Sequence, residues 1–381
     1  MKHVEIYDTT LRDGEQAPGA AMRQHEKLAI AEALQALCVD TVEAGFPMAS
    51  VDDANAVRDI ARTCKDIRVA AFARTQAEDI ESAAAALKPA TRPRISLVMP
   101  VSDLHVKTKL RLDTDGAMTL LATCVRAARN LCPDVEVIAE DASRAARPFL
   151  ARAARTAMES GAGTITIADT VGYATPGDIV DLFAALYDDV PGLNDIHLGI
   201  HCHDDLGLAT INTLTGLAAG ASQAHCTING IGERAGNAAL EEIVMAMRVR
   251  HDRFALECGV QARRLWETSQ LVAGITSFSV PPNKAIVGGN AYAHGSGMHQ
   301  DGMLKASDTY EIILPEWVGA PARHLPITRH SGRKGLAARL KKMGVALDDA
   351  QTLRLLELIK SRPGDVSVFS DSEIRNLLRL L

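Results

Sequence analysis

Two histidines that lie two positions apart, His201 and His203, are the residues with the clearest capacity for chemistry. They fall in the segment 197–207, HLGIHCHDDLG, whose first residues predict a short buried strand. Because alternate side chains of a strand point to the same face, both imidazoles can reach one point. Two imidazoles with carboxylates nearby are a common ligand set for a divalent metal, and Asp204 and Asp205 follow directly. The spacing predicts a metal site, although two ordinary histidines near a strand end remain an alternative at this stage.

Eight short segments of β-branched residues alternate with longer helical segments between residue 3 and about residue 245. Eight repeats of strand and helix in this length are what a (β/α)₈ TIM barrel needs, with an open doubly wound sheet as the alternative. The predicted strands are 4–7, 41–44, 68–72, 94–99, 135–139, 164–168, 197–201 and 223–229. The predicted helices include 24–37, 52–64, 116–131, 145–160, 178–186, 208–219 and 237–250.

Polar clusters follow seven of the eight predicted strands, where the catalytic groups of such a barrel are expected. In a closed barrel the eighth strand lies between the seventh and the first, so Asp13, Asn237 and the two histidines come from three neighbouring strand ends. We therefore predict that they converge on one ion, for which Mg²⁺, Mn²⁺ and Zn²⁺ are all suitable. The clusters are residues 8–16, 43–47, Arg74, 140–144, 169–170, 201–203 and 230–237.

The alternation of strands and helices stops after about residue 250. The segment 294–302, HGSGMHQDG, has no predicted strand in front of it and is assigned to an appendage. Helical periodicity returns at residues 333–343, 348–360 and 371–380. We expect a barrel at 1–275, a linking subdomain at 276–325 and a small, mostly helical subdomain at 326–381.

Composition excludes several classes of protein. Of 381 residues, 47% are hydrophobic and 23% are charged, which is ordinary for a folded protein. The net charge of -6 at pH 7 gives no electrostatic reason to expect nucleic acid or an anionic membrane as a partner. Seven scattered cysteines indicate neither a disulfide framework nor a zinc knuckle, and neither a signal peptide nor a membrane-spanning run is recognisable. We expect a cytoplasmic protein without nucleic-acid or membrane partners.

Five motifs, in this order along the chain, resemble those of the metal-dependent Claisen-condensing barrels. This group of DRE-TIM metallolyases contains the 2-isopropylmalate, homocitrate and citramalate synthases, and the resemblance covers nearly the whole chain. It implies an acyltransferase that uses a divalent metal to condense acetyl-CoA with a 2-oxo acid, giving a 2-hydroxy-2-alkyl dicarboxylate and CoA. The motifs are residues 8–16, 43–47, 200–208, 229–238 and 299–302.

The resemblance also implies roles for residues of the barrel. Arg12 would polarise the ketone and stabilise the alkoxide, and Glu140 is the candidate base that deprotonates the acetyl methyl group. The alternative for Glu140 is a structural partner of Arg12 or Arg144. The metal ligands would be Asp13, His201 and His203, with Asn237 as an additional or nearby ligand. The substrate-binding residues would be Gln16, Glu43, Arg74 and Thr170, of which Thr170 would hold the substrate carboxylate.

Two residues of the appendage, His299 and Tyr310, resemble groups that reach the active site of a neighbouring subunit. There they would assist proton transfer and hydrolysis of the thioester. The resemblance therefore implies a homodimer in which the C-terminal appendages are exchanged. A surface histidine and a core tyrosine are the plainer alternatives.

Four positions depart from the family's usual residues. Gly295 stands where the family normally has Glu, Ser96 where isopropylmalate synthases often have His, and Ile138 where a Ser is often found. Glu136 stands where lysine-pathway homocitrate synthases have an Arg that can pair with 2-oxoglutarate. A chain of 381 residues is also expected to lack the leucine-sensing domain of full-length isopropylmalate synthases.

These departures leave the 2-oxo acid open. An altered pocket could serve an uncommon substrate such as phosphonopyruvate, an anion that Lys107, Lys109 and Arg111 could meet if they are not simply a solvated face. A second alternative keeps the metal barrel but changes the reaction to carbon-carbon cleavage by a lyase.

Overall fold

The computed structural model describes residues 1–362 and 368–381, and its first unit, Met1–Val280, contains a closed parallel barrel. Each strand pairs in parallel with the next along the chain, and the eighth pairs with the first. Because an open sheet cannot pair its first strand with its last, the predicted TIM barrel is confirmed and the doubly wound alternative is wrong. The strands are β1 Glu5–Asp8, β2 Thr41–Glu43, β3 Arg68–Arg74, β4 Pro93–Pro100, β5 Val135–Glu140, β6 Thr164–Asp169, β7 His197–Cys202 and β8 Gln223–Cys226.

One long helix follows each barrel strand, and a ninth follows the barrel. They are α1 Gln24–Ala36, α2 Val51–Thr63, α3 Ala77–Leu87, α4 Thr114–Leu131, α5 Arg147–Glu159, α6 Pro176–Asp189, α7 Ala209–Ala218, α8 Leu240–Val249 and α9 Leu265–Thr276. Local signals begin some of them: Ser50 caps α2, and Thr175 caps α6, whose first residue is Pro176. Among the described residues, no helix has both the length and the apolar character needed to cross a membrane.

The last barrel strand is shorter than the segment 223–229 that the sequence predicts. It ends at Cys226 because the chain turns into a single 3₁₀ turn, Ile228–Gly230, in which Asn229 has a φ of 63°. A left-handed residue cannot continue a strand, and Asn adopts this conformation more readily than most residues. The turn brings the following motif back over the open end of the barrel.

Helix α8 begins at Leu240 rather than at the predicted Asn237. Asn237 instead forms an isolated bridge with His203, and the backbone N–H of Ala238 donates to Cys202 O at 3.2 Å. The residues before the helix are therefore held against the end of β7, which places the amide of Asn237 beside the two histidines.

The interior of the barrel is polar beneath its carboxyl end. Arg94 crosses this interior, donating from Nη1 to Gln223 Oε1 at 2.7 Å and from Nε to Asp134 Oδ2 at 3.0 Å. Buried polar groups are tolerated when they have hydrogen-bond partners, as these do. The buried polar side chains of this layer are Tyr7, Arg94, Ser96, Glu136, Thr164, Thr166, Gln223 and His225.

The second unit, Pro281–Leu381, is mostly helical, as the sequence predicts. Its longer helices are α10 Gly297–Lys305, α11 Arg333–Lys342, α12 Asp349–Lys360 and α13 Asp371–Leu378. It has a hydrophobic core of its own, formed by Ile327, Leu336, Leu340, Leu355, Leu356, Ile359, Phe369, Ile374 and Leu377.

The division into two units differs from the three segments expected, and the boundary lies after Val280 instead of residue 275. The segments 276–325 and 326–381 join because α10 is tied to the chain that precedes α11. The N–H of Gly297 donates to His330 O at 2.9 Å, and Gln300 Nε2 donates to Pro326 O at 2.8 Å. These contacts link residues about 30 positions apart, which sequence periodicity does not report.

Candidate active site

A cavity of about 740 Å³ lies at the carboxyl end of the barrel, where a TIM barrel carries its active site. Most of the barrel residues that the sequence singled out line its wall, namely Arg12, Asp13, Gln16, Arg74, Glu140, Thr170, His201 and His203. Glu43 and Asn237 lie behind this wall, as the hydrogen bonds below show. The wall also contains an apolar part that includes Phe72, Val98, Leu110, Leu120 and Ile138.

Three of the four predicted metal ligands converge. Asp13, His201 and His203 each offer one ligand atom, and these atoms all lie within 4.8 Å of one another. The two Nε2 atoms are 3.0 Å apart, and His203 Nε2 is 3.6 Å from Asp13 Oδ2. All three side chains are buried, as the ligands of a catalytic metal would be. These three side chains could therefore hold one metal ion together.

The fourth predicted ligand, Asn237, supports the same interpretation. Its Nδ2 donates to Asp13 Oδ1 at 2.8 Å, whereas its buried Oδ1 has no hydrogen-bond partner among the described residues. A buried acceptor without a donor is rare, and a cation would satisfy it. Glycine is required at 232 beside it, because a Cβ there would lie 2.1 Å from Asn237 Nδ2. The residues present therefore fit a divalent ion.

The ionisation of the candidate ligands suits metal binding. Burial alone would raise the pKa of Asp13, but the Arg12 guanidinium 2.8 Å away and the neighbouring histidines hold this pKa well below its usual range. Burial, together with the nearby His203, lowers the pKa of His201 well below its usual value. A carboxylate and a neutral imidazole are the forms that bind metals.

Arg12 is fixed between two carboxylates. Its Nη1 donates to Asp13 Oδ2 and its Nε donates to Glu43 Oε2, both at 2.8 Å. The guanidinium carbon lies 4.8 Å from the centre of the Phe72 ring. The arrangement places a permanent positive charge beside the candidate metal site, where a developing alkoxide would be stabilised.

Glu43 lies behind Arg12, which corrects the expectation that it contacts substrate. Its side chain is fully buried, and its Oε2 also accepts a hydrogen bond from Thr9 at 2.6 Å. This placement makes Glu43 a positioning residue for Arg12, because its carboxylate fixes the guanidinium that faces the cavity.

Glu140 ends β5 at the wall of the cavity, with partners that the sequence did not indicate. Its Oε1 accepts a hydrogen bond from Lys109 and lies 3.1 Å from His105 Nδ1. Arg144, the alternative partner considered for it, instead pairs with Asp141 at 2.7 Å. Lys109 belongs to the π-helical turn Val106–Leu110, and its only signal in the sequence was a group of basic residues after the fourth strand.

The remaining predicted substrate-binding residues surround the same cavity. Arg74 is held by two hydrogen bonds to the buried Asp79, at 2.7 and 3.0 Å, and Thr170 Oγ1 accepts from the N–H of Asp141 at 2.9 Å. Gln16 lies in the 3₁₀ turn Gly14–Gln16 that follows β1. Arg74 is thus the last residue of β3, and Thr170 and Gln16 lie in loops after the carboxyl ends of β6 and β1.

Arg234 is a cavity residue that sequence reasoning missed. Its Nη2 lies 2.9 Å from His203 Nδ1, and its guanidinium is held by Asp205 at 2.8 Å. Its φ of 55° turns the chain back towards β7. The motif 229–238 contains Arg234. A glycine at this position would have indicated a left-handed backbone, but an arginine gives no such signal.

The four departures from the family's usual residues fall in different places. Ile138 lines the cavity, whereas Ser96 and Glu136 lie in the buried polar layer inside the barrel and are fully buried. Gly295 is in the second unit, where its carbonyl accepts from Thr328 Oγ1 at 3.1 Å. Of the three departures in the barrel, only Ile138 therefore borders the substrate cavity.

The two predicted residues of the appendage come together in the second unit. The rings of His299 and Tyr310 are stacked, with centroids 4.0 Å apart and planes at 16°. Tyr310 is 43% exposed, so it is not the core tyrosine that was the alternative.

Comparisons with known proteins agree with this architecture. Residues 3–272 match the model of the HMGL-like family, and residues 286–365 match the homocitrate synthase post-HMGL domain-like family. A 2-isopropylmalate synthase of Caulobacter sp. (strain K31) is 49% identical, over 91% of this chain and 66% of that protein. A 2-isopropylmalate synthase of Rhodopirellula baltica is 47% identical, over 99% of this chain and 72% of that protein.

The chain spans about two thirds to three quarters of the length of these relatives. Among solved structures, an HMG-CoA lyase of Bacillus subtilis superposes with a TM-score of 0.62 at 20% identity, covering 74% of this chain and 96% of that one. This similarity supports the fold. On the match of residues 3–272 and the identity to its relatives, the chain belongs to the HMGL-like family, in the branch that carries the post-HMGL domain.

Proposed function

We propose that this protein condenses acetyl-CoA with a 2-oxo acid and releases CoA, as a 2-isopropylmalate synthase-like acyltransferase. The observation that carries the proposal is the convergence of Asp13, His201 and His203 beside Arg12 at one cavity. Relatives named 2-isopropylmalate synthase, at 47 to 49% identity, support the same reaction.

The proposed substrate-binding roles follow from the placement of each side chain. A divalent ion bound at Asp13 and the histidines would act as a Lewis acid on the ketone of the 2-oxo acid. Arg12, fixed by Glu43, stabilises the negative charge that develops on the ketone oxygen. Thr170, which lines the same cavity, binds the substrate carboxylate.

Glu140 is proposed as the base. Its carboxylate takes a proton from the methyl group of acetyl-CoA, and the resulting carbanion forms the new carbon-carbon bond to the ketone carbon. The ketone oxygen becomes a hydroxyl by taking up a proton. Water then cleaves the thioester, which frees CoA and makes the sequence irreversible. Lys109 and His105 hold the Glu140 carboxylate in place for the first step.

The cavity favours a 2-oxo acid with a hydrocarbon side chain over phosphonopyruvate. Val98, Leu110, Leu120 and Ile138 form an apolar part of the wall, where an anionic phosphonate would lose its hydration without gaining a partner. Lys109, which could have met such an anion, is already paired with Glu140.

We further propose a homodimer in which the appendage of each subunit completes the site of its partner. Several large apolar side chains near His299 are exposed in the second unit, including Met298 at 77% and Ile312 at 76%. A second copy of the chain would remove them from water. The seven cysteines are all unpaired, which supports a location in the reducing cytoplasm.

Release of free thiol from acetyl-CoA tests the reaction directly. The assay uses Mg²⁺ or Mn²⁺ with 2-oxoisovalerate, 2-oxoglutarate, pyruvate, oxaloacetate or phosphonopyruvate, and His201→Ala as the control. We expect turnover with 2-oxoisovalerate that falls by at least about 100-fold in the control, since a metal ligand is lost. No thiol release with any acid would contradict the proposal, and cleavage of a hydroxyacyl-CoA would then identify a lyase.

A further inference from the structure

A row of three buried side chains runs from the candidate metal site into the barrel. His201 Nδ1 lies 3.3 Å from His225 Nδ1, and His225 Nε2 lies 2.9 Å from Glu136 Oε1. His225 is on β8 and Glu136 is on β5, so the row spans the barrel interior. Neither residue lines the cavity, and the proposed reaction assigns no role to either of them.

The hydrogen bonds of this row have one direction. An ionised carboxylate only accepts, so His225 Nε2 carries a proton and donates it to Glu136. Gln223 Nε2 also lies 2.9 Å from His225 Nε2, but its two protons have acceptors in Glu136 Oε1 at 2.7 Å and Thr166 Oγ1 at 3.4 Å. In a neutral His225, Nδ1 is then an acceptor, and the proton facing it belongs to His201 Nδ1. The remaining nitrogen of His201, Nε2, is therefore left with a free lone pair, and it is this atom that faces His203 and Asp13.

The contacts at the other end of the row, beside the candidate metal site, lead to the same proton position on His201. A guanidinium only donates, so Arg234 makes His203 Nδ1 an acceptor and leaves the His203 proton on Nε2. That proton faces the lone pair of His201 Nε2 at 3.0 Å. Both ends of the row thus require the same proton position on His201.

Glu136, at the end of the row inside the barrel, is held in place by several hydrogen bonds. Glu136 Oε1 also accepts from Thr166 at 2.5 Å and Gln223 at 2.7 Å, and its Oε2 accepts from Ser96 at 2.9 Å. The ring of Tyr7 stacks on that of His225, with centroids 3.8 Å apart and planes at 2°. His225 cannot rotate or exchange its partner without breaking several of these contacts.

We propose that His225 and Glu136 are positioning residues that fix the tautomer and orientation of His201, so that His201 Nε2 is always available to the metal. The inference rests on the metal site of the proposed function. Partners of this kind, one shell beyond the ligands, contribute to metal affinity in other proteins. Glu136, which departs from the homocitrate synthase pattern, thereby gains a role in the metal site rather than in substrate recognition.

Metal affinity of the purified protein tests the proposal without an activity assay. Titration calorimetry with Mn²⁺ compares the wild type with His225→Phe, which keeps a ring against Tyr7 but removes the acceptor, and with His225→Gln, whose amide can accept from His201 and donate to Glu136. We expect binding about 10- to 100-fold weaker in His225→Phe and recovered to within a few fold in His225→Gln.

Tyr7→Phe is the matched control. It removes the hydroxyl that bonds Ser96 at 2.9 Å in the same buried layer, but keeps the ring on His225 and does not touch His201, so its Mn²⁺ affinity should equal that of the wild type. Equal affinities of His225→Phe and the wild type would overturn the inference. A wild type that binds no divalent ion would instead overturn the metal site and the proposed function.

Nitrogen-15 NMR of histidine-labelled wild-type protein loaded with Zn²⁺ measures the proton positions on His201 and His225, and it tests the proposal even if His225→Phe does not fold. We expect His201 to be protonated at Nδ1 with Nε2 bound to the metal, and His225 to be protonated at Nε2. A proton on His225 Nδ1, or metal bound through His201 Nδ1, would contradict the proposed direction of the row.

Discussion

The protonation state of each buried carboxyl group in and near the candidate site depends on the side chains that contact it. Asp13 stays ionised because Arg12 lies against it, and Glu136 stays ionised although burial alone would raise its pKa, because His225 and Arg94 hold this pKa below the usual range. Among the described residues, Asp8 has no such cation beside it. Burial raises the pKa of Asp8 to about 7, against the opposing hydrogen bonds from Thr10.

Asp8 gives a prediction about stability and pH. In the unfolded chain an Asp loses its proton near pH 4, whereas folded Asp8 keeps it to about pH 7. Between these values the folded state binds more protons, so this group makes stability fall as pH rises. Asp8→Asn cannot ionise, and its stability relative to wild type should rise by about 2–4 kcal/mol from pH 4 to pH 8. Urea unfolding of metal-free protein at both pH values measures this, and an unchanged difference would contradict it.

Two helices of the barrel unit carry a glycine near their ends, and the space around these two glycines differs. Gly216 lies in α7, and a Cβ there would be 2.3 Å from Ile200 Cδ1 on β7. Gly274 occupies the equivalent place in α9, third from the end, and a Cβ there would meet nothing within 4 Å. Packing therefore requires glycine at position 216 but not at position 274.

Alanine at these two glycines should have opposite effects. Gly216→Ala is expected to destabilise the protein by about 1–3 kcal/mol, because α7 must move away from Ile200. Gly274→Ala should stabilise it by about 0.5–1 kcal/mol, since alanine lowers the conformational entropy of the unfolded chain. Denaturant unfolding of both variants measures this. A shift of the same sign in both would show that helix propensity, and not packing, decides.

Across the whole molecule, the groups proposed for one reaction are divided between the two units. The candidate metal ligands and Arg12 belong to the barrel unit, and His299 and Tyr310 belong to the unit Pro281–Leu381. If the appendage serves the partner's barrel, as proposed above, two subunits must cooperate at each site.

Exchange of subunits between inactive variants tests this arrangement. His201→Ala and His299→Ala should each be nearly inactive, but in their mixed dimer one site has both residues intact, so a 1:1 mixture should recover about a quarter of wild-type activity. The control is a mixture of His201→Ala with Arg12→Ala, both defective in the barrel, which should recover none. Thiol release after partial unfolding and refolding together provides the measurement. No recovery in the first mixture would contradict an exchanged appendage.

The sequence by itself determined the barrel and most of the candidate site. Strand and helix periodicities are local, so the sequence alone shows eight repeats, and closure of a barrel then predicts that Asp13, Asn237 and the two histidines lie together. The motifs at 8–16 and 229–238 likewise pointed to the correct rim.

Only the tertiary structure decided which side chains form hydrogen bonds with the residues of the candidate site. Glu140 is paired with Lys109, which is 31 positions away, and Glu136 with His225, which is 89 positions away. Such pairs depend on strand register and side-chain direction, since a shift of one residue would turn Glu136, Glu140 or His225 to the other face of its strand. No local pattern encodes that choice. The closure of the sheet makes distant residues neighbours inside the barrel, and it so places His225 and Glu136 behind the candidate metal ligand His201.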